Sequence, residues 1–431
     1  MTEPHSYREL ISIERLSMKA ISFLGIADYK ETTFTYKGDE HRTRLFPAAL
    51  CKFLKPDDLL VLVTDRARNK WLSSLDDEVR PMGIVPKAVD IPEGHSIDDL
   101  WEIFQQLTAH LDERDDLIFD ITYSFRTLPF LAFLAASYLR VAKQVSLKGV
   151  LDGAWEARRP MSNPPEPTDR SPVFDLSPFM NLLTLTTSTD QFLKTGNAQS
   201  LVNLLPIEEN SKPLIQSVSN IARGLELLRP NDVMREAAAI TNHIDAAIPA
   251  IETEIPPIAP LIRRVSAEYG GFAVAQSAEN SGQNTLDKAR LGRQLRMVKW
   301  YADRGQFVHA LSMAREWLPS LLCWKFNADP TAVKEREDME LLLAGGIIKD
   351  SATGATIKES PRLKQWNDLD ASKRKALAKL WGGSLNLANL RNDVLHSGFR
   401  KNPRSSQAIE KDSLEVVQEL MKIAKDWELS E

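Results

Sequence analysis

Val173-Phe174-Asp175-Leu176-Ser177-Pro178-Phe179-Met180-Asn181-Leu182-Leu183 is where the chain changes its period. Before Ser177 apolar residues come in short runs bounded by turn residues, which predicts strands. After it they recur every three or four positions, which predicts helices. Upstream, strands are expected at Lys19 to Gly25, Leu59 to Thr64, Leu117 to Ile121 and Val145 to Leu151, with a weaker one near Val85 to Val89. Helices are expected between them, at Phe46 to Leu54, Arg68 to Leu75, Ile97 to Leu111 and Leu128 to Lys143. This alternation predicts a parallel sheet with helices on both faces. Thr32 to Tyr36 and His41 to Arg44, around Lys37-Gly38-Asp39, predict a hairpin on the sheet edge. Arg158 to Pro172 reads as a loop or protruding hairpin.

Downstream, helices are expected at Leu182 to Lys194, Leu214 to Leu228 and Asp232 to Ala247, then a Pro-rich break from Ile255 to Pro260. They resume at Thr285 to Arg304, Phe307 to Trp324, Thr331 to Leu343, Ala371 to Leu380, Ser384 to Leu395 and Ser406 to Leu429. The fold class is α/β plus all-α: residues 1–176 as the α/β domain and residues 177–431 as the helical one.

A length of 431 residues favours two or three domains, and 43% hydrophobic with 26% charged residues is an ordinary globular composition. No apolar run reaches the roughly 18 residues needed to span a bilayer, and Met1 to Arg15 lacks a signal-peptide core, so a cytoplasmic protein is expected. Cys51 and Cys323 lack metal-ligand spacing and read as buried apolar residues. A net charge of −5 excludes a global basic field for duplex DNA.

Parallel sheets bind ligands outside the carboxyl ends of their strands. Those ends carry Gly25-Ile26-Ala27-Asp28, Thr64-Asp65 and Thr122-Tyr123-Ser124-Phe125-Arg126-Thr127. The last stretch opens a helix with Pro129 in its first turn, so it either holds an anion or simply caps the helix through Ser124 or Thr127. The dinucleotide fingerprint is absent after the first strand, which argues against a nicotinamide enzyme.

In the helical part, Arg391-Asn392-Asp393-Val394-Leu395-His396 sets a guanidinium near an imidazole on one helix, closed by Ser397-Gly398. Asn392 and His396 are one turn apart on the same face, and Arg391 is long enough to reach the same cleft. A guanidinium can hold a phosphate and an imidazole can move a proton near neutral pH, which is what metal-free RNA cleavage needs. Spacing alone is a poor guide, because cations also collect at helix ends to meet the dipole. Arg304 and His309 repeat the spacing across Gly305 and read as structural. Arg315-Glu316-Trp317 reads as helix packing, with a buried pair made by Glu316 as the alternative. The basic residues Lys358, Arg362, Lys364, Lys373, Arg374 and Lys375 read as a solvated face or an RNA track.

Several segments in order resemble the CRISPR-associated CARF–HEPN ribonucleases: Lys19 to Gly25, Asp120-Ile121-Thr122, Phe125 to Pro129, Asp152 to Ala157, Val173 to Leu176, Trp300-Tyr301, Arg315 to Leu318 and Arg391 to His396. The resemblance covers nearly the whole chain. It implies a Rossmann-like CARF sensor domain followed by a HEPN nuclease domain. The sensor would bind a cyclic oligoadenylate made by a type III CRISPR complex, with cyclic tetra-adenylate the expected ring. Its binding residues would be Gly25, Ile26, Asp28, Thr64, Asp65, Thr122, Tyr123, Ser124, Phe125, Arg126 and Gly153.

The resemblance also implies a homodimer, or a larger oligomer, that cuts single-stranded RNA without metal or cofactor. Arg391, Asn392 and His396 would be catalytic, leaving 2′,3′-cyclic phosphate and 5′-hydroxyl ends. Where the family commonly has His-Gly this chain has Tyr123-Ser124, so Tyr123 either stacks on an adenine or packs on the sheet edge. Two other classes stay open: a ligand-binding regulator without nuclease activity, and a ring nuclease that degrades the cyclic oligoadenylate.

Overall fold

The computed structural model describes residues 17–123, 127–161, 166–274 and 286–429. By internal contacts the chain divides between Leu183 and Thr184 into two compact units. The first contains β1 (Met18–Leu24), β2 (Thr32–Tyr36), β3 (Asp39–Thr43), α1 (Phe46–Leu54), β4 (Asp58–Val63) and α2 (Asp65–Val79). β5 (Pro86–Asp90), α3 (Ile97–Ala109), β6 (Asp116–Asp120), α4 (Leu128–Ala142), β7 (Ser146–Gly153) and β8 (Arg170–Asp175) follow.

The eight strands form one sheet in the order β3-β2-β8-β7-β6-β1-β4-β5. The run β7-β6-β1-β4-β5 is parallel throughout, as the alternating sequence predicts. The sheet as a whole is mixed but dominated by parallel pairs, with the antiparallel hairpin at its edge as expected. β8 lies antiparallel to β7, β2 is parallel to β8, and β3 turns back antiparallel on β2. The edge hairpin forms because Lys37 and Gly38 both take positive φ, 50° and 94°, the two-residue turn whose twist matches its strands.

Strand side chains alternate between faces, and the apolar runs are fully apolar because both faces are covered. Ala20, Val61 and Ile118 face α1 and α2, packing with Leu50, Trp71 and Leu75. Their neighbours Ile21, Leu62 and Phe119 face α3 and α4, packing with Ile103, Leu107, Ala135 and Leu139. Gly153 is required at the end of β7, since a Cβ there would come within 2.5 Å of Phe46 and 2.9 Å of Phe34.

Helix α5 (Ser177–Thr195) carries the chain past the division. The second unit continues with α6 (Gln199–Val202), α7 (Lys212–Glu226), α8 (Pro230–Glu254), α9 (Ala259–Tyr269), α10 (Lys288–Asp303), α11 (Phe307–Lys325) and α12 (Val333–Leu343). After β9 (Ile347–Lys349) and β10 (Thr356–Glu359) come α13 (Leu363–Asn367), α14 (Ala371–Trp381), α15 (Leu387–Leu395) and α16 (Ser406–Asp426). The antiparallel β9–β10 hairpin corrects the all-helical expectation. It escaped the period because its strands are three and four residues long, and every residue of β10 is exposed. Tyr269, Tyr301 and Trp317 are buried in the helical core. Among the described residues no helix is long and apolar enough to cross a membrane.

Candidate functional site

In the first unit, β4 and β6 flank β1 while the chain winds away from β1 in both directions, so the carboxyl ends of β1 and β6 form the switch point of the sheet. Two polar residues interrupt the apolar runs there. Ser22 on β1 donates its hydroxyl to Asp120 Oδ2 on β6, and both side chains are fully buried. Asp120 Oδ1 accepts from the Thr122 amide at 2.8 Å. Burial outweighs these bonds and pushes the Asp120 carboxyl up to about 6. Thr122 Oγ1 in turn accepts from the Gly153 amide at 2.8 Å, so β1, β6 and β7 are tied together at this end.

Beyond the strands lies a stack of three rings. Tyr29 stacks on Tyr123 at 3.8 Å between centroids and on Trp71 at 5.1 Å. The Tyr123 hydroxyl donates to Arg44 O at 2.7 Å and accepts from the Phe46 amide at 3.2 Å. Its ring face and its hydroxyl are therefore engaged inside the unit, as the sheet-edge alternative requires. Tyr29 accepts from the Gly25 amide at 2.7 Å, and burial pushes its phenol up to about 12. Trp71 Nε1 donates to Ala27 O at 3.1 Å and Lys70 Nζ to Ile26 O at 2.7 Å, which pins the loop after β1 onto α2.

The predicted ligand residues thus separate. Ile26, Asp28 and Asp65 are exposed at the mouth of the switch point, with Gly25 and Thr122 half-buried behind them. Lys70 holds Asp28 as a carboxylate, lowering its pKa by a hydrogen bond and by charge. Thr64 is buried and accepts from the Ala67 amide as the cap of α2. Gly153 is covered by Phe46 and Phe34. Ser124, Phe125 and Arg126 lie outside the described residues. Thr127 makes no cap bond to α4. Ser22, Tyr29, Trp71 and Arg44 were not singled out from sequence; a Ser inside an otherwise apolar strand was the available signal for the first.

In the second unit, α15 carries Arg391, Asn392 and Asp393. It begins three residues later than its periodicity suggests, because Asn386 takes a left-handed conformation, φ 43°, and caps the helix through the Asn389 amide. Its end is fixed by Ser397, φ 53°, and Gly398, φ 71°. The Gly398 amide donates to Asp393 O and the Ser397 amide to Val394 O, a Schellman closure. This places His396 at the C-cap with its ring exposed, and among the described residues the ring has no hydrogen-bond partner.

Leu387, Leu390 and Asp393 form the buried face of α15. Asp393 anchors the following loop, accepting from the Arg404 amide at 3.0 Å with the Arg400 and Arg404 guanidiniums at 3.8 and 3.9 Å. Asn392 is exposed on the His396 face. Arg391 swings round to it, Nη1 donating to Asn392 Oδ1 at 3.1 Å, while its Nε is buried and, among the described residues, without a partner. The helix therefore carries a guanidinium bonded to an amide, with an exposed imidazole at its C-cap.

Arg304 is spent elsewhere. It donates to Leu193 O at 2.9 Å and Trp300 O at 3.3 Å, pairs with Glu268, and lies 4.1 Å over the Trp300 ring. His309 stacks on Tyr301 at 5.2 Å. Glu316 pairs with Arg315 at 2.8 Å and Arg336 at 2.6 Å, but its side chain is 51% exposed, so these pairs lie at the surface and not in the buried setting expected for them. Within the basic run, Arg362 is bound to Glu335 and Asp338, and Lys373 lies over Trp427. Among the described residues no group of three His, Cys, Asp or Glu side chains is placed to hold a metal ion.

Residues 19–151 match the family described as CRISPR system endoribonuclease Csx1, CARF domain. Residues 181–271 match the second domain of CRISPR-associated protein MJ1674. CRISPR-associated protein MJ1674 of Methanocaldococcus jannaschii is 22% identical over 276 residues, 60% of this chain and 39% of that protein. The chain thus spans well under half the length of that relative. Among solved structures, Enterococcus italicus Csm6 bound to cyclic hexa-2′-fluoro-hexa-dAMP aligns over 95% of this chain and 93% of its own, with 10% identity and a TM-score of 0.46. The first unit is similar to the CARF domains of CRISPR-associated proteins.

Proposed function

We propose that this chain is a single-stranded RNA endoribonuclease of the HEPN type, switched on by a cyclic oligoadenylate bound at its CARF-like unit. The observation that carries the reading is the placement of Arg391 and Asn392 on α15 and of His396 at its C-cap, with the His396 ring exposed and, among the described residues, without a hydrogen-bond partner. The similarity of residues 19–151 to a CARF domain supports the sensor half.

In this mechanism the ribose 2′-oxygen attacks phosphorus and the bond to the 5′-oxygen breaks. The 2′-hydroxyl proton is taken up by an imidazole and a proton is given to the departing 5′-oxygen. Arg391 stabilises the charge that builds on the phosphoryl oxygens, and Asn392 orients Arg391 or the substrate. The step calls for a base and an acid, and His396 supplies one group per chain, so two copies would pool their helices in a two-fold dimer. A dimer is also supported by an apolar stripe on the first unit: Ile97 and Trp101 of α3 beside Phe130, Leu134, Tyr138 and Val141 of α4, each 42–79% exposed. Phe104 bridges the two helices by an edge contact of 5.7 Å to Tyr138. Six large apolar side chains in one stripe exceed the scattered exposure normal on a monomer.

The test is cleavage of fluorescent single-stranded RNA with and without cyclic tetra- or hexa-adenylate, in EDTA, by wild type and His396→Ala. Activator-dependent cutting that falls at least about 100-fold in His396→Ala is expected. Cutting unaffected by the substitution sinks the assignment. Loss of the added activator in place of RNA cutting would identify a ring nuclease instead.

A further inference from the structure

Arg391 also lines a cleft of about 430 Å³ that lies wholly within the helical unit. Its walls come from the turn between α7 and α8 (Leu227 to Pro230), from α10 (Gln294), from α11 (Ser312, Met313, Glu316, Trp317, Ser320) and from Arg336 of α12. This volume falls in the range of about 300–1,000 Å³ typical of small-ligand sites. Leu228, Met313 and Trp317 make part of the lining apolar.

Its polar groups are unevenly used. Glu316 is neutralised by Arg315 and Arg336, and Arg336 is further held by Ser320 Oγ at 3.1 Å. By contrast, among the described residues the Gln294 amide, the Ser312 hydroxyl and the Arg229 guanidinium have no hydrogen-bond or ion-pair partner, and the Arg391 Nε is buried and unpaired. The cleft therefore combines apolar walls, an amide and a hydroxyl free to read a planar hydrogen-bonding edge, and two guanidiniums with charge to spare.

We infer that this cleft is a specificity pocket for one unpaired nucleotide of the RNA, next to the bond that is cut; the inference rests on the nuclease reading of α15. The base enters between Leu228, Met313 and the Trp317 edge. Gln294 and Ser312 meet its hydrogen-bonding edge, as a glutamine amide can do bidentately with adenine. Arg229 and Arg391 hold the phosphates on either side, Arg391 being shared with the reacting one. Phosphate contacts position the strand, whereas the amide contact selects the base.

The experiment uses the full chain in two arms. In the first, a fluorescein-labelled single-stranded RNA is titrated against His396→Ala alone and combined with Gln294→Ala or Arg229→Ala, with AMP as competitor. In the second, cleavage products of wild type, Gln294→Ala and Arg229→Ala are sequenced under activation, and folding is checked by thermal melting. Gln294→Ala is expected to relax base preference at the position flanking the cut by about five- to a hundredfold. Arg229→Ala should weaken RNA binding across all sequences and reduce the salt slope by about one ion.

An unchanged cleavage pattern in Gln294→Ala with unchanged binding in Arg229→Ala overturns the pocket even where wild type cuts. AMP binding that excludes no RNA overturns it too, assigning the cleft to a free mononucleotide. Failure of wild type to cut overturns the nuclease reading instead, and the binding arm still tests the cleft.

Discussion

Two arginine and histidine pairs with the same spacing occur in this chain, and their surroundings separate them. Arg304 is consumed by carbonyl oxygens, a carboxylate and an indole face, whereas among the described residues Arg391 bonds only Asn392 and the exposed His396 ring has no partner. Arg304→Ala should therefore cost stability, about 2–3 kcal/mol for lost charged hydrogen bonds and ring contact, while cleavage per folded molecule stays close to wild type. Chemical denaturation alongside specific activity checks this; activity loss without destabilisation would give Arg304 a role in the chemistry. His396→Ala should show the reverse, within about 0.5 kcal/mol of wild type in stability and without cleavage, since its ring is exposed. The motif was visible as letters. Which copy was free to act depended on neighbours such as Leu193 and Glu268, 111 and 36 residues from Arg304.

Elements meet at the switch point through Asp120, which ties β6 to Ser22 of β1. Its carboxyl rises from 3.8 to about 6 on folding because burial disfavours the charge. Below pH 3.8 both folded and unfolded chains hold the proton, and no penalty applies. Between 3.8 and 6 the unfolded chain ionises first, so stability falls as pH rises, and above 6 the full cost of the buried charge is present. That cost is about 3 kcal/mol for a shift of this size. Asp120→Asn keeps an acceptor for the Thr122 amide and an NH₂ that Ser22 can accept, and carries no titration. Between pH 4 and pH 7 the stability of wild type should therefore drop by about 2 kcal/mol relative to Asp120→Asn, read from urea unfolding at each pH. A constant difference would show that Asp120 does not titrate in this range.

Across the molecule, the dimer reading turns on the α3–α4 stripe. If two copies join there, Trp101→Glu with Tyr138→Glu should convert a dimer to a monomer in sedimentation velocity and abolish activated cleavage, while melting stays near wild type. A dimer that survives both charges would move the interface elsewhere. Pairing by this face also explains why α4 reads as apolar nearly all round: Ala135 and Leu139 serve the sheet, and Phe130, Leu134, Tyr138 and Val141 remain for a partner.

The period of the apolar residues was enough to reveal the five-stranded parallel core, the helices on both its faces, and the passage to a helical unit near Ser177, because burial on one face or two leaves a local imprint on the chain. The turn at Lys37-Gly38 and the closure at Ser397-Gly398 were equally local. What local pattern could not carry was every contact between distant residues. These include the insertion of β8 and β2 beside β7, the Ser22–Asp120 bond across 98 positions, and the packing of Tyr123 on Tyr29. The cleft beside Arg391 is of the same kind, assembled from Arg229, Gln294, Ser312 and Arg336. A side chain's partners follow from which elements pack together, and period alone does not say which do.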